Sequence, residues 1–366
     1  MAQQEALLLL SDGTTYRGKA YGAIGTTGGE LCFNTGMTGY QEIFTDPSYY
    51  GQVVIMNNVH IGNYGVIDED VESDAIQIKG LIGRNLEELF SRRRSDTSLD
   101  EYLKKQNIVA IEGVDTRALV TKVRSMGAMN CIISSEVIDS DELQKRLAEV
   151  PDMSGLELAS LVSTKEAYEL GDPLSKIRIA VLDYGTKRNI LTCMVERGAY
   201  VKVFPAATSL EELKGFNPSG YFISNGPGDP AAMDYAVQTV KEILQEDKPT
   251  FGICLGHQLL ARANDIPTFK MHHGHRGMNH PVKNIITGRC EITTQNHGFG
   301  VEPEAVKNAD HIEITHVNLN DQSIEGIRVK GKPQFSVQYH PESTPGPHDS
   351  RYLFDDFMAM IREHQA

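Results

Sequence analysis

Runs of apolar residues divide this chain into two differently patterned parts. In the second part, Ile177-Arg-Ile-Ala-Val-Leu-Asp-Tyr184 is an apolar run of the kind buried on both faces of a parallel sheet. Helices are predicted near 186–197, 230–245, 255–263 and 350–362. They alternate with strands near 200–204, 220–223 and 250–253. That order predicts an α/β domain with a doubly wound, mostly parallel sheet and a site at the carboxyl ends of its strands. Further strands near 282–294, 311–316, 323–329 and 334–340 predict an antiparallel extension. The first part reads as α+β and strand-rich, with short strands near 7–10, 30–34, 52–56 and 76–82. Helices near 99–106 and 115–124 and strands near 108–111 and 128–133 complete it.

The pattern places an N-terminal domain at 1–150, a linker at 151–176 and a second domain at 177–366. Pro151-Asp-Met-Ser-Gly155 and Leu170-Gly-Asp-Pro173 bracket the polar linker segment. No fixed-period repeat and no low-complexity tract is present.

The chemistry concentrates at Lys248-Pro-Thr-Phe-Gly-Ile-Cys-Leu-Gly-His-Gln258. Cys254 falls at a strand-to-helix turn between Gly252 and Gly256. This is the thiol counterpart of the elbow that projects a nucleophilic serine. The amides and dipole of a helix N-terminus favour a thiolate there. A lone cysteine is more often a buried structural residue; the two glycines and a downstream partner reverse that preference. The partner is Gln338-Tyr-His-Pro-Glu342. In an extended segment His340 and Glu342 leave the same face, so the carboxylate can fix the imidazole tautomer while the other nitrogen acts as base. An oxyanion needs donors as well. The amide of Leu255 is one, and the glycines of Ser224-Asn-Gly-Pro-Gly-Asp-Pro230 can bring a second. That segment also fits a loose dinucleotide fingerprint. However, Asp229 and Pro230 read better as a helix cap and first helical residue.

Asn225-Gly-Pro-Gly-Asp-Pro230, Gly252-Ile-Cys-Leu-Gly-His-Gln258 and Tyr339-His-Pro-Glu342 resemble the three signatures of class I, triad glutamine amidotransferases. The resemblance implies Cys254 as nucleophile, His340 as general base and acid, and Glu342 as its orienting carboxylate. Gln295-Asn-His-Gly-Phe299 resembles the family's substrate loop. It implies glutamine contacts at Asn296, Gly298 and Phe299, beside Gly226, Gly228, Leu255 and Gln258.

The first domain narrows the resemblance. Gly36-Met-Thr-Gly-Tyr-Gln-Glu42, Thr45-Asp-Pro-Ser-Tyr49, Ile61-Gly-Asn-Tyr-Gly65 and Gly113-Val-Asp-Thr-Arg117 resemble the small, glutaminase subunits of carbamoyl-phosphate synthases. So do Gly274-His-Arg-Gly277 and Asn279-His-Pro281. The likeness implies that Ser48 reaches the glutamine, although the residues alone favour a serine in Asp-Pro-Ser-Tyr that simply caps a turn. It also implies a large partner subunit binding ATP and Mg, because this chain carries no Gly-x4-Gly-Lys-Ser/Thr loop of its own. The two would form a heterodimer or a higher oligomer of heterodimers. They would make carbamoyl phosphate from bicarbonate and glutamine for arginine and pyrimidine synthesis. Two alternatives stand beside this reading: the glutaminase of another synthase, and a non-catalytic regulatory subunit.

Composition adds exclusions. The formal net charge of −14 disfavours nucleic acid as a partner. No apolar run is long enough to span a membrane. The five cysteines are unpatterned, which fits a reducing cytoplasm. His272, His273 and His275 lack a cysteine or second ligand pair at metal spacing, so neither metal nor cofactor is expected in this chain. Arg92-Arg-Arg94 and the acidic run at 68–74 read as solvated loops. His257, three residues past Cys254, is expected to pack or bond locally rather than act as base.

Overall fold

The computed structural model describes residues 4–95 and 97–366. The chain divides into two compact units, Met1–Met153 and Ser154–Ala366.

The first unit is a closed barrel of seven strands, built in the order β1-β2-β8-β6-β4-β3-β9. These strands are β1 (Glu5–Leu10), β2 (Thr15–Gly22), β3 (Thr26–Asn34), β4 (Gln52–Met56), β6 (Gly80–Ile82), β8 (Val109–Glu112) and β9 (Met129–Ser134). A short pair, β5 (His60–Ile61) and β7 (Asn85–Leu86), lies apart from it. The unbroken apolar run of β1 is explained by its two covered faces. Ala6, Leu8 and Leu10 pack with Ile55 and Ile111, while Leu7 and Leu9 pack under Leu143 and Leu147. Strand β2 was missed because its exposed half carries Thr15, Arg17 and Lys19. Among the described residues four α-helices complete the unit: α1 (Tyr40–Thr45), α2 (Leu99–Lys105), α3 (Thr116–Met126) and α4 (Ser140–Leu147). Helix α2 begins with a capping box between Ser98 and Glu101. Ser48 lies in the 3-10 turn Pro47–Tyr49, where Asp46 Oδ1 accepts from its backbone N–H at 2.9 Å.

The second unit is a ten-stranded sheet in the order β10-β12-β11-β13-β14-β19-β18-β17-β15-β16. Its parallel centre is β12 (Tyr200–Pro205), β11 (Arg178–Asp183), β13 (Gly220–Ile223), β14 (Thr250–Ile253) and β19 (Gln334–Val337). The antiparallel extension is β18 (Ile324–Val329), β17 (Ile312–Asn318), β15 (Thr268–Asn284) and β16 (Cys290–Val301). Helices are α5 (Ala159–Val162), α6 (Arg188–Val195), α7 (Leu210–Gly215), α8 (Asp234–Gln245), α9 (Leu255–Ala263), α10 (Pro303–Lys307) and α11 (Tyr352–Gln365). Each face of the sheet has its own core. Val240, Leu259 and Leu260 of α8 and α9 cover one, with Ile223. Ile190, Met194, Phe354 and Phe357 of α6 and α11 cover the other, with Phe222 and Phe251. This is the doubly wound arrangement, with crossover helices on both faces.

Two details differ from the sequence reading. The single strand expected near 282–294 is the far end of a hairpin between β15 and β16, with Lys283 paired to Cys290. Ile285 and Ile286 disguise the turn; both are half exposed. The segment 154–176 carries α5 and β10 (Tyr168–Leu170), and β10 pairs with β12 to form the edge of the sheet. Its polar composition suits an exposed edge, which sequence alone does not distinguish from a linker. Among the described residues no helix is long and apolar enough to cross a membrane.

Candidate active site

Strand β14 ends at Ile253 and α9 starts at Leu255, so Cys254 alone makes the turn. Its backbone sits at φ 54° and ψ −104°, a conformation that costs a residue with a Cβ on the order of 1–3 kcal/mol. The Cys254 N–H donates to the Val337 carbonyl of β19 at 2.9 Å, which ties the elbow to its neighbour strand. The flanking glycines are a steric requirement. A Cβ on Gly252 would lie 2.7 Å from the Gly256 carbonyl oxygen, and one on Gly256 would lie 2.1 Å from that of Ile223.

Parallel pairing of β14 with β19 carries the partner residues past the elbow, with Ile253 opposite Val337. Beyond β19, the His340 N–H donates to the Thr294 carbonyl at 2.9 Å. His340 Nδ1 then meets Glu342 Oε1 at 2.8 Å. The same carboxylate oxygen accepts from Lys187 Nζ at 2.8 Å. Cys254, His340, Glu342 and Lys187 are all buried. Lys187 was not among the residues read from sequence. Its only signal was a basic residue just past the carboxyl end of β11, where doubly wound sheets place their sites.

Electrostatics follow from this chain of contacts. Burial would push the His340 imidazolium down, but the Glu342 charge and the neighbouring Cys254 thiol outweigh it and raise the group to about 10. Burial would likewise raise the Glu342 carboxyl, but Lys187 and then His340 hold it down near 2. The remaining ring nitrogen, Nε2, is buried and makes no full hydrogen bond. The Cys254 thiol donates to the Asn296 carbonyl at 3.6 Å.

The first amide of α9, that of Leu255, has no carbonyl to serve within the helix. The loop of Gly226 and Gly228 lies beside it: a Cβ on Gly226 would come within 2.9 Å of Leu255 Cδ2 and 2.1 Å of the Tyr184 carbonyl oxygen. Asp229 caps the following turn by accepting from the Ala231 N–H at 2.8 Å, and its other oxygen accepts from the Gly155 N–H at 2.8 Å. Gln258 of α9 reaches across to β16. Its amide donates to the Phe299 carbonyl at 2.9 Å and to Gln338 Oε1 at 3.1 Å. The fold therefore gathers Gly226, Cys254, Leu255, Gln258, Asn296, Phe299, His340 and Glu342, with Gly228 in the loop of Gly226 and Gly298 on β16 between Asn296 and Phe299. Ser48 lies in the first unit.

His257 bonds Ser336 Oγ through Nδ1 at 2.9 Å, and burial pushes it down to about 3. It is a neutral packing residue, as expected of a side chain turned into the core. Among the described residues, one group of potential metal ligands converges: His275, His297 and Glu325.

Residues 8–133 match the family described as carbamoyl-phosphate synthase small chain, CPSase domain, and residues 180–360 match glutamine amidotransferase class-I. The chain is 48% identical to a carbamoyl phosphate synthase small chain from a Nostoc species, over 98% of this chain and 95% of that one. It is 48% identical to the protein of that name from Thermotoga maritima, over 98% and 99% of the two chains. The Aquifex aeolicus protein of that name is 46% identical, over 98% of this chain and all (100%) of its own.

Proposed function

The chain belongs to the carbamoyl-phosphate synthase small-chain family, and from that membership we propose that it hydrolyses glutamine at Cys254 and supplies the ammonia to a large, ATP-dependent subunit. The observation that carries this reading is the continuous buried chain Lys187–Glu342–His340 beside a thiol held in an elbow.

Each residue's role follows from its contacts. The Cys254 thiolate, with its proton held on His340 Nε2, attacks, and Sγ forms a bond to the glutamine amide carbon. The carbonyl oxygen becomes an oxyanion, held by the Leu255 amide and an amide of the Gly226–Gly228 loop. As the tetrahedral species collapses, the C–N bond breaks and the His340 proton leaves with ammonia. A water molecule then loses a proton to His340 and attacks the thioester. Sγ leaves as the thiolate, glutamate departs, and His340 keeps the proton taken from water, which restores the starting pair. Glu342 keeps the imidazole in one tautomer and stabilises the imidazolium. Lys187 keeps Glu342 ionised where burial would otherwise protonate it. Gln258, Asn296, Gly298, Phe299 and Ser48 are proposed to bind the glutamine.

In this reading ATP, Mg and bicarbonate belong to the large subunit, in a heterodimer or an assembly of heterodimers. The product is carbamoyl phosphate for arginine and pyrimidine synthesis. The test is release of ammonia and glutamate from glutamine by the purified chain, with and without its native partner. Activity that rises with the partner and vanishes in Cys254→Ala supports the proposal. A folded chain that is inactive in both conditions is a binding or regulatory subunit instead.

A further inference from the structure

His275, His297 and Glu325 come from β15, β16 and β18, and each offers a ligand atom within 4.8 Å of the others. All three are buried, Glu325 completely. The outer nitrogen of each ring is already engaged. His275 Nε2 bonds Asp321 Oδ2 at 2.8 Å, which leaves Nδ1 turned inward, 3.4 Å from Glu325 Oε1. His297 Nδ1 donates to the Phe299 carbonyl at 2.8 Å. With that N–H spent on the carbonyl, the neutral ring leaves Nε2 as the nitrogen turned into the cluster. Glu325 Oε1 accepts from Asn318 Nδ2 at 3.0 Å, while Oε2 is buried with no hydrogen-bond partner. The amide oxygen of Gln295 faces the same space, 2.7 Å from His297 Nε2 and 3.2 Å from His275 Nδ1.

Two imidazole nitrogens, a carboxylate and an amide oxygen thus converge on one point from several sides. In zinc sites a ligating imidazole donates its remote N–H to a carboxylate or a backbone carbonyl, which fixes the ring. Asp321 and the Phe299 carbonyl stand in those positions here. Metal–ligand bonds of about 2.1 Å in tetrahedral geometry put neighbouring donor atoms about 3.4 Å apart. The His275–Glu325 separation matches that spacing. We propose that His275, His297 and Glu325 form a binding site for a zinc-class divalent cation, oriented by Asp321, the Phe299 carbonyl and Asn318, with the Gln295 amide oxygen as a further donor. Imidazole and carboxylate together suit zinc better than calcium or magnesium. Asp321 gives the route in, since its side chain is 43% exposed. The site was hidden in the sequence because its ligands are spread over fifty residues and three strands, outside any local motif.

The experiment uses the full chain, stripped with chelator, in a Cys254→Ser, Cys290→Ser background that removes the candidate catalytic and the exposed thiol. Zinc is titrated against a chromogenic chelator, and cobalt(II) serves as the spectroscopic probe. Expected are one equivalent of zinc and a cobalt spectrum without thiolate charge transfer. His275→Gln and Glu325→Gln should each weaken binding by about a hundredfold or more, and Asp321→Asn by about 10–100-fold. Asp321→Asn, at a part-exposed position, keeps the test decisive if the buried variants fail to fold. No zinc binding by the Cys254→Ser, Cys290→Ser chain, or equal binding with and without Asp321→Asn in that background, would overturn the proposal. The cluster would then be a hydrogen-bonded network closed by turning the Gln295 amide.

Discussion

The ammonium of Lys187 stands 2.8 Å from Glu342 Oε1, the oxygen that also lies 2.8 Å from His340 Nδ1. Two residues separated by 155 positions therefore meet on one carboxylate atom in the core of the second unit. A buried carboxylate is costly unless paired, and removing one partner leaves an uncompensated charge.

Lys187→Met removes the cation and leaves the packing stem. We expect loss of about 3–5 kcal/mol of stability, as for other broken buried pairs. Glutaminase activity should fall together with it, while synthesis from added ammonia persists in the complex. Urea unfolding and parallel assays with glutamine and ammonia measure both effects. Unchanged glutamine use would remove Lys187 from the site.

Glu342→Gln keeps the shape and discards the charge. The imidazole loses the partner that stabilises its cation, so kcat for glutamine should drop by about 10²–10⁴-fold. The glutamine KM should change far less, because Glu342 is assigned no substrate contact. A drop confined to KM would contradict the orienting role.

Gly256→Ala tests the elbow's packing. The added methyl would sit 2.1 Å from the Ile223 carbonyl, which is backbone and cannot yield as a side chain can. Destabilisation of at least about 1–3 kcal/mol is expected in denaturant titrations. Gly215→Ala, where a Cβ meets nothing within 4 Å, is the matched control and should be nearly neutral.

Stability should depend on pH through the same ion chain. His340 is raised from 6.5 to about 10, so its contribution is complete below pH 6.5 and is lost as pH climbs through about 10. Glu342 is lowered from 4.5 to about 2, so its contribution is complete above pH 4.5 and is lost as pH falls through about 2. The wild type should gain most over His340→Asn near pH 4.5–6.5, with the advantage shrinking on the alkaline side. A pH-independent difference between the two would show that His340 is not held as a cation by Glu342.

Much of the second unit was legible in the order of its residues. Continuous apolar runs such as 178–183 and 250–253 marked buried parallel strands, because both faces of such strands are covered. Gly252 and Gly256 marked the elbow because the chain approaches itself too closely there for any Cβ. The two-residue spacing of His340 and Glu342 fixed their contact locally, since alternate residues of an extended segment share a face.

Other relationships had no local trace. Strand β2 belongs to the barrel through its partners β1 and β8, while its own side chains are half polar. Lys187 joins Glu342 only because β11 and β19 end on the same edge of one sheet. His275, His297 and Glu325 converge only through the register of β15 with β16 and the order of the strands beyond them. Periodicity, turn chemistry and steric need for glycine act over a few residues, so the sequence by itself determined the apolar strands and most helices, the elbow and the His340–Glu342 pair. Which distant charges share a buried volume depends on strand order and register, and these are set by the packing of whole elements. Only the tertiary structure decided that Lys187 would complete the ion chain and that two histidines and a glutamate would face one another.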